Sequence, residues 1–308
     1  MTASTLLTRD YESYHFYKYD PSLAAAIIFT IFFIPTTAYH TWQLHQTRRL
    51  GPRAWYLLPL VVGAFFEVIG YAARSSSTQK PYGTGAMMPY IIQSLFILLA
   101  PSLFAATIYM LLGRLIIALK AQKLSLVPVR WLTKIFVVGD VISFLMQGGG
   151  GGIQAQARTD PDNYDRGAKI ILGGLFVQLI FFGLFVVVTG LFHHRLNKQA
   201  YAPAPARKLL CSLYLTSGLI LIRSIFRIAE YAQGSDGYLI SHEVFLYLFD
   251  GLCMFGVLVS FNWLHPTSMF RDLADGNGVG TLEMVGSESA LTYKKDASQH
   301  ILVIPYVP

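Results

Sequence analysis

The sequence predicts an all-α membrane protein, a bundle of seven transmembrane helices with its N-terminus outside and its C-terminus in the cytoplasm. Of its 308 residues 54% are hydrophobic and only 13% are charged, which is far from the balance of a soluble domain. Apolar stretches of about 20 residues, enough to cross about 30 Å of hydrocarbon, recur seven times. The basic residues are also distributed unevenly between the connecting loops.

Each predicted span is bounded by a short polar connection rich in Pro, Gly, Asn or charge, which marks a loop. The spans are 22–42, 54–73, 87–117, 131–153, 168–192, 208–232 and 243–265.

The orientation follows from the Lys and Arg residues, because basic residues are retained on the cytoplasmic side. Fourteen of them lie in the loops after spans one, three and five and in the C-terminal segment, whereas seven lie on the other side. The net charge of +7 is therefore attributed to contact with the cytoplasmic leaflet. It does not indicate a nucleic-acid partner.

The chain divides into three predicted regions. Residues 1–20 form an extracellular segment that lacks the apolar core of a cleaved signal peptide. Residues 21–267 form the transmembrane domain. Residues 268–308 are polar and Gly-rich, so they are predicted to be a flexible cytoplasmic tail.

Several classes of chemical site are not indicated. The run Gly148–Gly152 lacks the Lys-Ser/Thr that ends a phosphate-binding loop, so it is interpreted as close helix packing or as an unwound segment that lines a cavity. Cys211 and Cys253 lie in apolar spans, and the histidine pairs lack the i, i+4 spacing of a helical zinc site. No cofactor, no metal and no enzymatic activity are expected, and the protein partners stay unknown.

Polar stripes run along three of the spans. Charged side chains in hydrocarbon are costly, and where they occur they usually mark a pathway. Residues spaced i, i+4 and i+7 share one helix face. Such triplets are Arg223, Arg227 and Glu230 in span six, Glu243, Tyr247 and Asp250 in span seven, and Glu67, Tyr71 and Arg74 in span two.

Depth predicts that these stripes meet. At about 1.5 Å of rise per residue, Arg223 and Asp250 both lie about 12–14 Å below the outer surface, and we predict that they pair. Glu67 falls in the same layer, and Asp140, Gln147 and Gln178 are expected nearby or somewhat deeper. The resulting network either lines a polar cleft for a headgroup or a proton, or it only holds helices together.

Six segments carry a family resemblance: "YDPSLAAAIIF", "FEVIGYAAR", "QSLFILLAPSLFAATIYMLLGRLI", "GDVISFLMQGGGGG", "GGLFVQLIFFGLFVV" and "IFRIAEYAQGSDGYLISHEVFLYLFDGLCMFGVLVSFNWLHP". Together they resemble the fungal lipid-translocating exporter family, also called the RTA-like family, over residues 19–266. The family's polar positions fall on Glu67, Tyr71, Arg74, Gln93, Gly113, Arg114, Asp140, Gln147, Gln178, Arg227, Glu230, Glu243, Asp250 and His265.

The resemblance implies a multi-pass protein of the plasma membrane, or of an endomembrane, that exports amphipathic lipids such as sphingoid long-chain bases and confers resistance to amphiphilic toxic compounds. Some relatives are associated with porphyrin traffic instead. The expected partners are membrane lipids or amphipathic small molecules. The alternative is a seven-transmembrane receptor or sensor for a lipid-like ligand, although span three lacks an acid-Arg-aromatic triplet and span seven lacks Asn-Pro-x-x-Tyr.

Overall fold

The computed structural model of the chain describes residues 17, 19–49, 52–79, 84–155, 162–199, 203–234 and 237–274. Within these ranges every regular element is helical. The helices are α1 (Leu23–Arg49), α2 (Leu58–Gln79), α3 (Thr84–Ala118), α4 (Val129–Ala155), α5 (Asp162–Gln199), α6 (Ala204–Ala232), α7 (Glu243–Leu246, continued by a π turn at Tyr247–Gly251 and by Leu252–Trp263) and α8 (Pro266–Ala274). Short 3₁₀ turns at Pro52–Leu57 and Gln122–Leu124 precede α2 and α4.

Six of these helices are long and apolar enough to cross a membrane, so the chain is an integral, multi-pass membrane protein. They are Leu23–Thr47, Trp55–Gln79, Met88–Ala118, Asp162–Gln199, Ala204–Ala232 and Glu243–Phe270. They correspond to predicted spans one, two, three, five, six and seven. Helix α4, which contains predicted span four, is not among them, and its Asp140, Gln147 and five consecutive glycines dilute its apolar character.

Helices that follow one another in the chain pack side by side, and the most extensive seams join α2 to α3 and α4 to α5. Helix α7 closes the bundle, because it contacts both α6 and α1. Helix α1 is the least buried of the six candidate spans. The interior between α3, α4 and α5 is aromatic: the ring of Phe185 lies 4.6 Å from that of Tyr109 and 5.4 Å from that of Phe136, measured between ring centroids.

The glycine run of α4 remains helical to Ala155, so the alternative of an unwound segment is wrong. Packing accounts for Gly150, because a Cβ atom there would lie 2.7 Å from the backbone oxygen of Gly167. The other four glycines, Gly148, Gly149, Gly151 and Gly152, have no neighbouring heavy atom within 4 Å of such a Cβ position. Within this run, Gly150 is therefore the glycine that α5 approaches closely.

The first residues of the predicted C-terminal tail are helical. Helix α8 includes the first residues of the segment predicted as a flexible tail, and Met269 is buried against the bundle. Residues 275–308, which make up most of the predicted tail, lie outside the described residues.

Candidate functional site: an intramembrane ion network

The predicted pair of Arg223 and Asp250 is confirmed. Arg223 Nε donates to Asp250 Oδ1 at 2.6 Å, and the two side chains are 0% and 1% exposed. The short connection between α6 and α7 makes them antiparallel neighbours. The π turn then includes Asp250, and its wider backbone is a feature that often occurs at functional sites. Arg223 Nη2 also donates to the carbonyl oxygen of Ile97 at 3.4 Å, which ties α3 to the pair.

Asp250 serves a second arginine from the same stripe of α6. Its Oδ2 accepts from Arg227 Nη2 at 2.7 Å, and Arg227 Nη1 donates to Glu230 Oε2 at 3.0 Å. The carboxylate of Asp250 on α7 therefore joins the two arginines of the α6 face, and Arg227 connects Glu230 to them. Losing Asp250 would leave two buried guanidinium groups short of a partner.

Arg74 forms a second ionic group nearer the N-terminal end of α7. Its Nη2 donates to Glu243 Oε1 at 2.7 Å and its Nε donates to the hydroxyl of Tyr247 at 2.9 Å. The Tyr247 hydroxyl in turn donates to Glu243 Oε1 at 3.1 Å. Although Arg74 counts among the outer-side cations in the sequence, only 2% of its side chain is exposed.

Two tyrosines that sequence reasoning missed complete this group. Tyr19 accepts a hydrogen bond from Arg74 Nη2 at 2.7 Å, and the Tyr17 hydroxyl lies 3.0 Å from Ser77 Oγ and 3.1 Å from Gln93 Oε1. Burial raises the pKa of both phenols above the usual value, so both hydroxyls stay protonated at physiological pH. The only signal was the tyrosine content of the N-terminal segment, which is typical of a membrane interface.

Glu67 and Tyr71 are buried beside these ions without hydrogen bonds of their own. Glu67 is 0% exposed, and among the described residues neither of its carboxylate oxygens has a hydrogen-bond partner. The same is true of the Tyr71 hydroxyl, which lies 2.6 Å from where a Cβ of Gly251 would stand. A buried carboxylate without a partner is costly, so Glu67 has unused capacity for a proton or a cation.

We refer to these residues of α2, α6 and α7 as the ion network: Glu67, Tyr71, Arg74, Arg223, Arg227, Glu230, Glu243, Tyr247 and Asp250. It contains four carboxylates and three guanidinium groups. Its formal charge is therefore one negative unit if every acid is ionised.

The predicted polar residues of spans four and five form a separate group. Gln147 Nε2 donates to Ser143 Oγ at 2.6 Å and to Gln178 Oε1 at 3.2 Å. Gln178 Nε2 donates to Ser102 Oγ at 3.2 Å, and Ser143 Oγ donates to the carbonyl oxygen of Gly174 at 2.6 Å. These neutral contacts among α3, α4 and α5 form what we call the amide cluster, and the expected single network is thus divided in two.

Asp140 belongs to neither group. Its side chain is buried beside Tyr109, within the aromatic interior. The described ranges contain no group of three or more His, Cys, Asp or Glu side chains that could hold a metal ion. At the other end of α3, the Arg114 guanidinium lies 4.2 Å from the ring centroid of Tyr56, a cation–π contact that its sequence position alone does not reveal.

Comparison with known proteins identifies a family and several relatives that this chain resembles. A family model described as RTA1 like protein matches residues 60–273. Protoporphyrin uptake protein 1 of Saccharomyces cerevisiae is 37% identical over 280 residues, which cover 80% of this chain and 90% of the relative. Protein RTA1 of the same yeast is 36% identical over 285 residues, which cover 84% of this chain and 88% of the relative.

A more distant relative is the sphingoid long-chain base transporter RSB1 of Saccharomyces cerevisiae, 24% identical over 265 residues, with 74% of this chain and 68% of the relative covered. No solved structure matches the chain. Because the family model covers more than half of the chain and two relatives exceed 30% identity across most of their length, the chain belongs to the RTA1-like protein family.

Proposed function

We propose that this protein is a transporter that moves amphipathic lipids with an amine headgroup, sphingoid long-chain bases among them, across or out of the membrane. The headgroup passes along the ion network while the hydrocarbon chain stays in lipid. Export of cationic amphiphiles by the same route would confer resistance to amphiphilic toxic compounds. The substrate leaves unchanged, so no catalytic step is part of the proposal.

The observation that carries the proposal is the excess acid of the ion network. Three carboxylates, Glu230, Glu243 and Asp250, are each bonded to an arginine, whereas Glu67 is buried without a hydrogen bond from the described residues. Ionisable groups in a membrane are costly and tend to mark pathways. An ammonium headgroup beside Glu67 would balance the fourth acid and supply the missing donors.

One relative is named as a sphingoid long-chain base transporter, and this supports the proposed substrate class. The basic residues of the loops support a topology with α4 as an additional, seventh span, the N-terminus outside and the C-terminus in the cytoplasm of a plasma-membrane protein. A protease added to intact cells should remove a tag placed before Met1 and spare a tag placed after Pro308. The opposite pattern would overturn the orientation.

The test of transport is flux of a fluorescent long-chain base into vesicles that contain only the purified protein. Flux is expected without ATP, and Glu67→Gln should lower it roughly tenfold or more, because a charge-assisted hydrogen bond is worth about 1.5–3 kcal/mol. The matched control is Asp165→Asn, the same acid-to-amide change at an exposed position of α5, which should leave flux unchanged. Flux at the unmodified rate in Glu67→Gln, or strict dependence on ATP hydrolysis, would contradict the mechanism.

Porphyrin transport is a second candidate, favoured by the relative named protoporphyrin uptake protein 1, which at 37% identity is closer to this chain than the long-chain base transporter at 24%. Porphyrins of that type carry carboxylates and would need cationic partners. Arg223 Nη1 and Arg227 Nε are buried donors without a hydrogen-bond acceptor among the described residues. Porphyrin flux that Arg227→Gln abolishes and Glu67→Gln spares would select this candidate over the first.

A further inference from the structure

A groove of about 550 Å³ lies between α1 and α2, outside the ion network. Its walls are α1 residues between Ile34 and His45, with Phe65 and Val68 of α2 on the other side. This volume falls in the range of about 300–1,000 Å³ that is typical of small-molecule sites. The groove is large enough for one extended ligand.

Two threonines line the groove, but their hydroxyls already have hydrogen-bond partners and do not need a polar ligand. Thr37 Oγ1 donates to the carbonyl oxygen of Phe33 at 2.7 Å, and Thr41 Oγ1 donates to that of Thr37 at 2.7 Å. Both hydroxyls are therefore satisfied by the backbone of their own helix. The remaining surface is alkyl and aromatic, with His45 at the end nearest the C-terminus of α1.

The position of the groove identifies its occupant. Both helices that form it are candidate membrane spans, so we expect its opening to face the hydrocarbon of the membrane. A hydrocarbon chain has the matching chemistry. When it moves from lipid into the groove it exchanges one apolar environment for another, and it gains van der Waals contacts with a fixed wall.

At one end the groove leads to an aromatic stack that covers the ion network. Phe33, which precedes Ile34, stacks on Tyr71 with ring centroids 5.3 Å apart. Phe29, one turn earlier, stacks on Tyr71 at 5.4 Å and on Tyr247 at 4.8 Å. Phe29 and Phe33 therefore connect the groove helix α1 to Tyr71 and Tyr247 of the ion network.

Helix α1, which carries this stack, is suited to move. It is the least buried candidate span, and Pro35 lies inside it, directly after the groove begins. A proline in a helix removes one backbone hydrogen bond and favours a bend at that point. A bend at Pro35 would lift Phe29 and Phe33 together.

We propose that the groove between α1 and α2 binds the hydrocarbon chain of an amine-headed amphiphile, and that Phe29 and Phe33 form the gate between this chain-binding groove and the ion network. The inference rests on the proposed function, to which it adds a site for the apolar half of the substrate. The headgroup then enters the ion network laterally, beside α1.

The test uses two photoreactive probes of equal chain length, each with a diazirine near its methyl end: a long-chain primary amine and the corresponding uncharged alcohol. The full chain, purified into lipid nanodiscs, is irradiated with each probe, and the labelled peptides are mapped by mass spectrometry. Both probes are expected to label the groove segments 34–45 and 65–68, because the hydrocarbon chain is common to them.

A groove-filling variant supplies the decisive comparison. Ala38→Trp should lose most of this labelling and most long-chain base flux. The control is Ala24→Trp, the same change at an exposed position of α1 outside the groove, which should keep both. Val68→Trp fills the groove from α2 and replaces Ala38→Trp if that variant does not fold.

The outcomes separate the two proposals. Labelling spread evenly over lipid-facing residues of other helices, or unchanged in a folded groove-filling variant, would overturn the chain-binding groove. If the unmodified protein moves no long-chain base but the alcohol probe still labels the groove, the groove stands and the proposed substrate is wrong. If flux occurs and no probe labels the groove, transport stands and the groove is rejected.

Discussion

The two sides of the bundle bury polar groups in different ways. On one side, α2, α6 and α7 are joined by guanidinium and carboxylate groups, with Asp250 bonded to both Arg223 and Arg227. On the other side, α4 and α5 are joined by neutral amides and by a glycine contact, in which Gln147 bonds Gln178 and Gly150 meets Gly167. Both arrangements lie within helices of one apolar bundle.

The difference shows on which side the buried polar groups are not explained by their contribution to stability. Neutral side-chain hydrogen bonds between membrane helices contribute about 0.6 kcal/mol on average, and close approach at small residues adds packing. Buried ion pairs repay their desolvation cost poorly, and apolar replacements of similar volume are often as stable. The amide cluster is therefore sufficiently explained as a structural contact, whereas the ion network, with Glu67 in addition, is not explained by stability alone and is the part that we propose to be the pathway.

The largest predicted effect is on the ion network. Arg223→Ala and Asp250→Ala should each destabilise the protein, by up to roughly 3–5 kcal/mol, because each breaks a buried ion pair. Arg223→Ala leaves Asp250 its bond to Arg227. Asp250→Ala should be the more damaging change, since Asp250 bonds two arginines. The measurement is thermal unfolding of each purified variant in detergent together with its folded yield.

The double variant isolates the pair. Arg223→Ala with Asp250→Ala removes both ions and should recover part of the loss, with a coupling of about 0.5–3 kcal/mol. Recovery stays incomplete, because Arg227 retains only Glu230 among its described acidic partners. Additive losses would show that the two residues stabilise the bundle independently.

The same contrast explains what the sequence could predict. Helical period gave the face of each residue, the rise per residue gave its depth, and a short connection made α6 and α7 neighbours. Helix face, depth and neighbouring helix are together enough to predict that Arg223 contacts Asp250. Where all three were known, the predicted contact agrees with the structure.

For the amide cluster, one of these three was not known. Gln147 and Gln178 lie on the expected helix faces. The local sequence does not determine whether α4 and α5 lie beside α2 or across the bundle from it, because that arrangement depends on long-range packing. Tyr17 and Tyr19 lie before α1, where no helical period assigns a direction. The π turn at Tyr247–Gly251 likewise changes the register of α7 without a sequence signal that we identified.

A smaller effect is predicted at the glycine contact between α4 and α5. Gly150→Ala places a methyl group 2.7 Å from the backbone oxygen of Gly167, so the helices must separate at an overpacking cost of about 1–3 kcal/mol. Gly149→Ala is the matched control, because nothing lies within 4 Å of its Cβ position. It should stabilise the helix by roughly 0.5–1 kcal/mol. Equal unfolding temperatures for the two variants would refute close approach at Gly150.

The smallest effect is predicted for Gln178→Leu, which tests whether the amide cluster is only structural. The change removes the hydrogen bonds of Gln178 to Gln147 and Ser102, while Gln147 keeps its bond to Ser143. Stability should fall by about 1.2 kcal/mol, because each of the two lost hydrogen bonds between membrane helices contributes about 0.6 kcal/mol on average. Long-chain base flux per folded molecule should not change. Unfolding and flux are measured on the same preparation, so that lost protein is not counted as lost transport. A large drop in flux with little change in stability would move the amide cluster into the transport pathway and remove the contrast between the two sides of the bundle.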